Sequence, residues 1–250
     1  MANWSPWDRV CVLNCDESTN RLVQFRVDWA ESKILRRTPC QRVRARPAHE
    51  YPRPSWWQPD HTEYPGSADR YWACRRSMME IVEQALIDHV KHLLICEDDA
   101  YPTPMFDAVF PKFFAEMPDD WIGYKLFAFH GRSPEPVGQY CGRLLTEGGT
   151  GGTQALGLNR DGMQAWHDGA WKDVHRLYDQ FVWQYAEGRM YAPIPYLFAE
   201  RRWPSVAKGL AQRSATDSAT PSPMRVAALV GAMRAPGPFD NVPAALGERR

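Results

Sequence analysis

The chain has no net charge: 30 lysines and arginines balance 30 aspartates and glutamates over 250 residues. No global field therefore drives it onto nucleic acid or an anionic membrane. No stretch approaches the roughly 18 apolar residues that a membrane span requires. The opening Met1-Ala2-Asn3-Trp4-Ser5-Pro6-Trp7-Asp8 lacks the basic-then-apolar layout of a signal peptide. Six cysteines (Cys11, Cys15, Cys40, Cys74, Cys96, Cys141) are scattered without a C-x-x-C pair, which argues against zinc ligation and against a disulfide framework. The expectation is a cytoplasmic protein with reduced thiols. Neither a glycine-rich P-loop nor a dinucleotide fingerprint is present.

What is present is enough apolar residue for a sizeable core, 44% of the chain, with eleven tryptophans and ten tyrosines. The most informative stretch is His92-Leu93-Leu94-Ile95-Cys96-Glu97-Asp98-Asp99-Ala100, an apolar run of strand length that stops at three consecutive acids. Ligands in open α/β sheets lie beyond the carboxyl ends of the strands, where these acids would sit. Three adjacent carboxylates repel one another and resist desolvation. A divalent cation among them relieves both costs, and hard oxygen ligands favour Mg²⁺, Mn²⁺ or Ca²⁺. The alternative is a solvated acidic turn that closes an ordinary strand.

Around this stretch the chain alternates strand and helix signals. Arg9 to Asn14 reads as a strand, followed by a polar loop with Asp16 and Arg21 and an amphipathic segment from Leu22. Residues 36–59 carry Arg36, Arg37, Arg42, Arg44, Arg46 and Arg53 with only Glu50 opposing them. Five prolines there argue against regular structure. Their mixture with Tyr51, Trp56 and Trp57 suits either a solvated loop or a surface that stacks bases and neutralises phosphates. A helix from Ala73 to Val90 leads into the acidic strand. Thr103 reads as the cap of a further segment that Pro111 should bend or divide.

Trp121 to Phe129 reads as a strand ending near His130, residues 131–143 as loop, and 147–155 as a glycine-dense segment able to approach a ligand or form a lid. Ala155 to Leu158 reads as a strand, with Asn159 or Asp161 capping the next helix. A helix from Asp173 to Tyr185 and a strand at 190–195 follow. The composition then shifts toward Ser, Ala, Thr and Pro. Two regions are expected, a folded domain over 1–206 and a weakly ordered tail over 207–250.

In this order the motifs resemble glycosyltransferase family 25, the lipooligosaccharide and procollagen galactosyltransferase group of the GT-A type. Val12-Leu13-Asn14-Cys15-Asp16 with Arg21 stand where that family has its first strand and loop. Ile95 to Ala100 matches its Leu-Glu-Asp-Asp-Ala, and Gly152-Thr153-Gln154-Ala155 its Gly-Thr-x-Ala. Asp179, Tyr191 to Pro195 and Ser205 match the later motifs. The family's Ser-His pair is absent, with Ala73-Cys74-Arg75-Arg76 in its place.

The resemblance implies an α/β GT-A-like domain with a mostly parallel central sheet flanked by helices. It implies an enzyme, a hexosyltransferase-like glycosyltransferase that uses Mn²⁺ or Mg²⁺ and moves a sugar from a nucleoside-diphosphate sugar, UDP-sugar first, with inversion. Asp99 and Glu97 would hold the metal. Asn14, Asp16, Arg21, Glu97, Asp98, Gly152 and Thr153 would hold the donor, and Asp179 would be the base. The acceptor would be a glycan, a lipid-linked glycan or a protein hydroxyl, or DNA bearing a hydroxymethylated base and bound through residues 36–59. A non-catalytic nucleotide- or carbohydrate-binding domain of the same fold is a further alternative.

Overall fold

A computed structural model describes residues 5–59, 67–128, 133–145, 151–173, 175–177, 186 and 188–201. Its first half is a strand–helix alternation: β1 (Arg9–Cys15), α1 (Thr19–Glu31), a 3-10 turn (Leu35–Arg37), β2 (Cys40–Ala45), α2 (Ser67–Ile87) and β3 (His92–Glu97). Then come β4 (Ala100–Pro102), α3 (Phe106–Glu116), β5 (Gly123–Lys125), β6 (Glu135–Pro136), β7 (Cys141–Arg143) and β8 (Ala155–Asn159). The last of the described elements are α4 (Arg160–Lys172), β9 (Met190–Pro193) and β10 (Phe198–Glu200).

The strands form one 8-stranded sheet in the order β2-β1-β3-β8-β5-β9-β7-β6, while β4 and β10 pair as a separate antiparallel ribbon. Only β7 and β8 run against the common direction. The expected α/β class, a mostly parallel sheet flanked by helices, is what the chain adopts.

Burial on both faces explains why the strands read as nearly continuous apolar runs. Cys11 and Leu13 of β1, Leu93 and Ile95 of β3, and Leu156 and Leu158 of β8 face α2 and α4, packing with Met78, Val82, Met163 and Trp166. The alternate residues Val10, Val12, Leu94 and Cys96 face α1 and α3, packing with Phe25, Trp29, Phe106 and Phe110. All six cysteines are free thiols, and burial pushes Cys11 up to about 12, far from a reactive thiolate.

Several expectations need correction. The proline-flanked arginine stretch is not all loop, because Cys40–Ala45 pairs in parallel with β1 from Val10↔Cys40 to Cys15↔Ala45. Among the described residues it is an edge strand, paired on one side only, so a polar sequence is tolerated. Residues 131–143 are not all loop either, since β6 and β7 form a short hairpin at the opposite edge.

Thr103 does not cap α3. Met105 occupies the N-cap position, and the Phe106 amide donates to the Thr103 carbonyl at 3.0 Å. Pro111 does not divide that helix, which runs from Phe106 to Glu116. A proline in a helix interior costs about 3 kcal/mol. Burial of Phe106, Val109, Phe110 and Phe113 offsets that, at about 1.5–3 kcal/mol each. Asn159 is the cap of α4, accepting from the Gly162 amide at 2.8 Å.

Asp173 is the C-cap residue of α4, and the helix expected over 173–185 falls mostly outside the described residues. The Asp173 carboxylate accepts from the amides of His175 and Arg176 in a bend. Phe181, Val182 and Tyr185, expected in that helix, lie outside the described residues.

A buried arginine ties α2 to the end of α4. Arg75 is fully buried and donates to the carbonyls of Ala170, of Asp173 at 2.7 Å and of Arg176 at 3.2 Å. Its guanidinium lies 5.6 Å from the ring centroids of both Trp57 and Trp72. A cation suits the negative end of a helix. Arg75→Met strands these acceptors, so the expected loss is about 3 kcal/mol. Urea unfolding checks this, and an unchanged midpoint would mean that water replaces the guanidinium without cost.

Candidate active site

The strand order locates a crevice. From β1 the chain crosses through α1 to β2 on one side, and from β2 through α2 to β3 on the other. The connections therefore diverge between the carboxyl ends of β1 and β3, the position at which open α/β sheets bind ligands. Asn14 sits near the end of β1, Glu97 ends β3, and Asp98-Asp99 form the turn that follows.

These side chains form one network. The Asn14 Nδ2 donates to Asp98 Oδ2 at 2.7 Å and to the Ser18 carbonyl at 3.0 Å. Arg21 donates to Asp98 Oδ1 at 3.1 Å and lies 3.6 Å from Asp99 Oδ2. Both Asp98 oxygens are thus engaged, and the residue stitches β1 and α1 to the acidic turn. Arg42 of β2 donates from Nε to Asn14 Oδ1 at 3.0 Å and pairs with Asp16 at 2.5 Å. Asp16, half-exposed, also pairs with Arg44 at 2.5 Å, and Arg44 holds Glu50 at 2.7 Å. Hydrogen bonds from Arg42 and Arg44 hold the Asp16 carboxyl below its ordinary range.

The far wall comes from β8 and β10. Gly152, with φ +94°, turns the chain so that the Thr153 hydroxyl donates to Glu97 Oε1, and the Glu97 amide donates to the Gln154 carbonyl at 3.0 Å. The Arg201 amide donates to the Asp99 carbonyl at 2.8 Å, and the Arg201 guanidinium grips Asp28 at 2.7 Å and covers the Tyr101 ring at 4.8 Å. This anchors β10 and brings Glu200 within electrostatic range of Asp99.

Asp99 is the anomaly. Its Oδ1 is buried and has no hydrogen-bond partner among the described residues. Burial first, then the charges of Glu97, Asp98 and Glu200, push its carboxyl well above the usual aspartate range, with Arg21 opposing. Burial also raises Asp98, against Arg21 and Asn14.

Among the described residues, no three His, Cys, Asp or Glu side chains form a group able to hold a metal ion unaided. Small hard cations do not need such a cage. Mg²⁺ is typically held by one or two carboxylates with substrate phosphates and water completing the shell. A buried carboxylate oxygen without a partner fits that demand.

Of the residues singled out in the sequence, Asn14, Arg21, Glu97, Asp98, Asp99, Gly152 and Thr153 converge on this crevice. Asp16 stands at its rim, turned to Arg42 and Arg44. Asp179, His130, Ser205, the glycines at 148 and 149 and the tail over 207–250 lie outside the described residues. Glu200 and Arg201 carry no sequence signal for their place beside Asp99. They reach it through a three-residue strand and pairings far apart in the chain.

The sequence matches no protein-family model and no curated protein. Solved structures do match at a distance. A197 from STIV is 12% identical, with 74% of this chain and 81% of that one covered, at a TM-score of 0.39. A glycosyltransferase involved in the glycosylation of the major capsid of PBCV-1 is 11% identical, with 78% and 95% covered, at 0.43. Mouse xyloside xylosyltransferase 1 in its apo form is 10% identical, with 71% and 80% covered, at 0.33. The structural neighbours of this chain thus include glycosyltransferases.

Proposed function

We propose that this chain is a metal-dependent glycosyltransferase of the GT-A type, related to family 25. In this reading it moves a sugar from a nucleoside-diphosphate sugar, UDP-sugar first, to an acceptor hydroxyl with inversion. The observation that carries the reading is Asp99, a buried carboxylate with an unpartnered oxygen at the switch point between β1 and β3. The resemblance of the motif order to family 25 supports it.

Asp99 and Glu97 would hold Mn²⁺ or Mg²⁺ together with the donor diphosphate. The cation, when bound, offsets the negative charge that builds on the departing nucleoside diphosphate. Arg21 lies beside the same turn and can follow that charge. Asn14 and Asp98 fix the turn, while Thr153 orients Glu97. In the reaction the acceptor oxygen forms a bond to the anomeric carbon as the bond from that carbon to the phosphate oxygen breaks. The diphosphate leaves with the electron pair, and the acceptor proton passes to a base, for which Asp179 is proposed.

The acceptor is proposed to be a glycan, a lipid-linked glycan or a protein. DNA is disfavoured by the pairing of Arg42, Arg44 and Arg46 with Asp16, Glu50 and Glu80, which leaves less charge for phosphates.

A donor screen by thermal shift tests the reading. One UDP-hexose at saturating concentration should raise the melting temperature by about 5–10 °C with Mn²⁺ and much less with EDTA. No nucleotide sugar shifting the melting temperature in Mn²⁺ would remove the enzyme assignment.

A further inference from the structure

We infer that the aromatic cup between the β2–α2 segment and the end of α4 is a second subsite, one that takes a neutral sugar ring. Calling that ring the acceptor rests on the proposed function; the sugar site itself does not. The cup is an open cavity of about 270 Å³ lined by Tyr51, Trp56, Trp72, Arg76 and Trp171 together with prolines. That is slightly below the roughly 300–1,000 Å³ of drug-sized ligand pockets, a size for a single ring.

Its place in the fold points to the reaction. Helix α2 follows β2, so Trp72 and Arg76 in its early turns lie toward the rim at the carboxyl ends of the strands. Strand β8 runs the other way, so α4 climbs to the same rim and delivers Trp171 in its last turn. An ion-pair chain from Glu50 through Arg44, Asp16 and Arg42 to Asn14 joins this region to the crevice that holds Asp99.

The wall is rigid. Trp72 is backed by Trp57 at 5.4 Å and by the buried Arg75 guanidinium, and it meets Trp56 edge-on at 5.3 Å. Trp56 and Trp171 remain 43% and 45% exposed, an unusual cost for two indoles unless something covers them.

The chemistry selects the occupant. A sugar ring offers apolar C–H faces that lie on indole and hydroxyl edges that need donors and acceptors. Arg76 lies 5.2 Å from the Trp171 ring centroid and 5.7 Å from that of Tyr51, so a guanidinium donor stands beside the aromatics, with Glu83 paired to it at 3.3 Å. The charge is balanced: Arg46 meets Glu80, Arg44 meets Glu50 and Arg53 meets Asp69. A phosphodiester strand needs surplus positive charge, which this arrangement does not supply.

The test uses the full chain and saturation-transfer NMR with lactose, cellobiose, chitobiose and methyl β-galactoside, with a ten-nucleotide oligothymidine as comparison. At least one glycan should show transfer to its ring protons. Its affinity should fall about tenfold in Trp171→Ala and again in Trp56→Ala, the equivalent of about 1.4 kcal/mol each. Both side chains are well exposed, so folding should survive, and an unchanged melting temperature checks it. The UDP-hexose shift with Mn²⁺ should persist in both variants.

No binding by any of the four glycans, binding indifferent to both substitutions, or preferential binding of the oligothymidine at the cup would overturn the assignment. Glycan binding without any donor shift would sink the proposed enzyme and leave the sugar site standing. A donor shift without glycan binding would do the reverse.

Discussion

Replacing Asp99 by asparagine is expected to cut sugar transfer by about 1,000-fold and to raise the melting temperature of the metal-free protein. The two effects share one cause. A buried carboxylate among Glu97, Asp98 and Glu200 is poorly solvated, and its Oδ1 has no partner among the described residues. Without a cation this is a standing cost; with one it becomes the ligand. Removing a preorganised electrostatic group from a reacting centre commonly costs 10²- to 10³-fold in rate, roughly the loss expected here.

The stability effect has a definite sign with pH. Burial and the neighbouring carboxylates raise the folded-state pKa of Asp99, so the folded protein holds a proton that the unfolded chain has released. Stability therefore falls as pH rises from the ordinary aspartate value, about 4, up through the raised folded value. Asparagine does not ionise, so the variant escapes this loss and should melt a few degrees higher in EDTA at neutral pH, at roughly 2–4 °C per kcal/mol. Mn²⁺-dependent donor binding should strengthen over the same rise in pH, since the ligand must lose its proton. Calorimetry in EDTA from pH 5 to 8 checks the first effect. A variant less stable than the wild type throughout would show that Asp99 is not under strain.

Gly157→Ala is expected to destabilise the sheet strongly. Gly157 lies in β8 opposite Tyr124 of β5, and a Cβ there would stand 2.1 Å from the Tyr124 Cζ. Tyr124 cannot step aside readily, because its ring packs against Phe113 at 5.6 Å and its hydroxyl accepts from Trp7 Nε1 at 2.6 Å. The ring lies over the bare strand, and the two positions form one packing unit. Overpacking of this kind costs about 3 kcal/mol, or roughly 6–12 °C in melting temperature. In the background Tyr124→Leu the added methyl group should cost much less, a non-additivity that a double-mutant cycle reads directly. Equal cost in both backgrounds would place the strain elsewhere.

Much of the frame was legible because the relevant signals are local. Val10 to Leu13 and Leu93 to Cys96 are runs with both faces buried, which only a central strand requires. The α2 stripe and the Asn159 cap follow helical spacing. The three acids stop a buried strand where chain direction and chemistry both point to a ligand.

The misread parts depend on contacts far apart in sequence. Strand β2 looks like a basic loop because Arg42 and Arg44 find their acids in Asp16, twenty-six and twenty-eight positions earlier. The hairpin of β6 and β7, with strands of two and three residues, is too short to show a period. The unbroken α3 shows packing outweighing the penalty of Pro111. At the site, Glu97, Asp98 and Asp99 look equivalent in sequence. In the fold they divide: Glu97 takes Thr153, Asp98 takes Asn14 and Arg21, and Asp99 is left with a buried open oxygen.

The most direct measurement is an anomalous difference map from a crystal soaked with Mn²⁺ and the UDP-hexose that gives the largest thermal shift. A manganese peak is expected within about 2.5 Å of Asp99 Oδ1, with the diphosphate beside it. A nucleotide bound elsewhere on the protein, or one bound in this crevice with no metal beside Asp99, would contradict it.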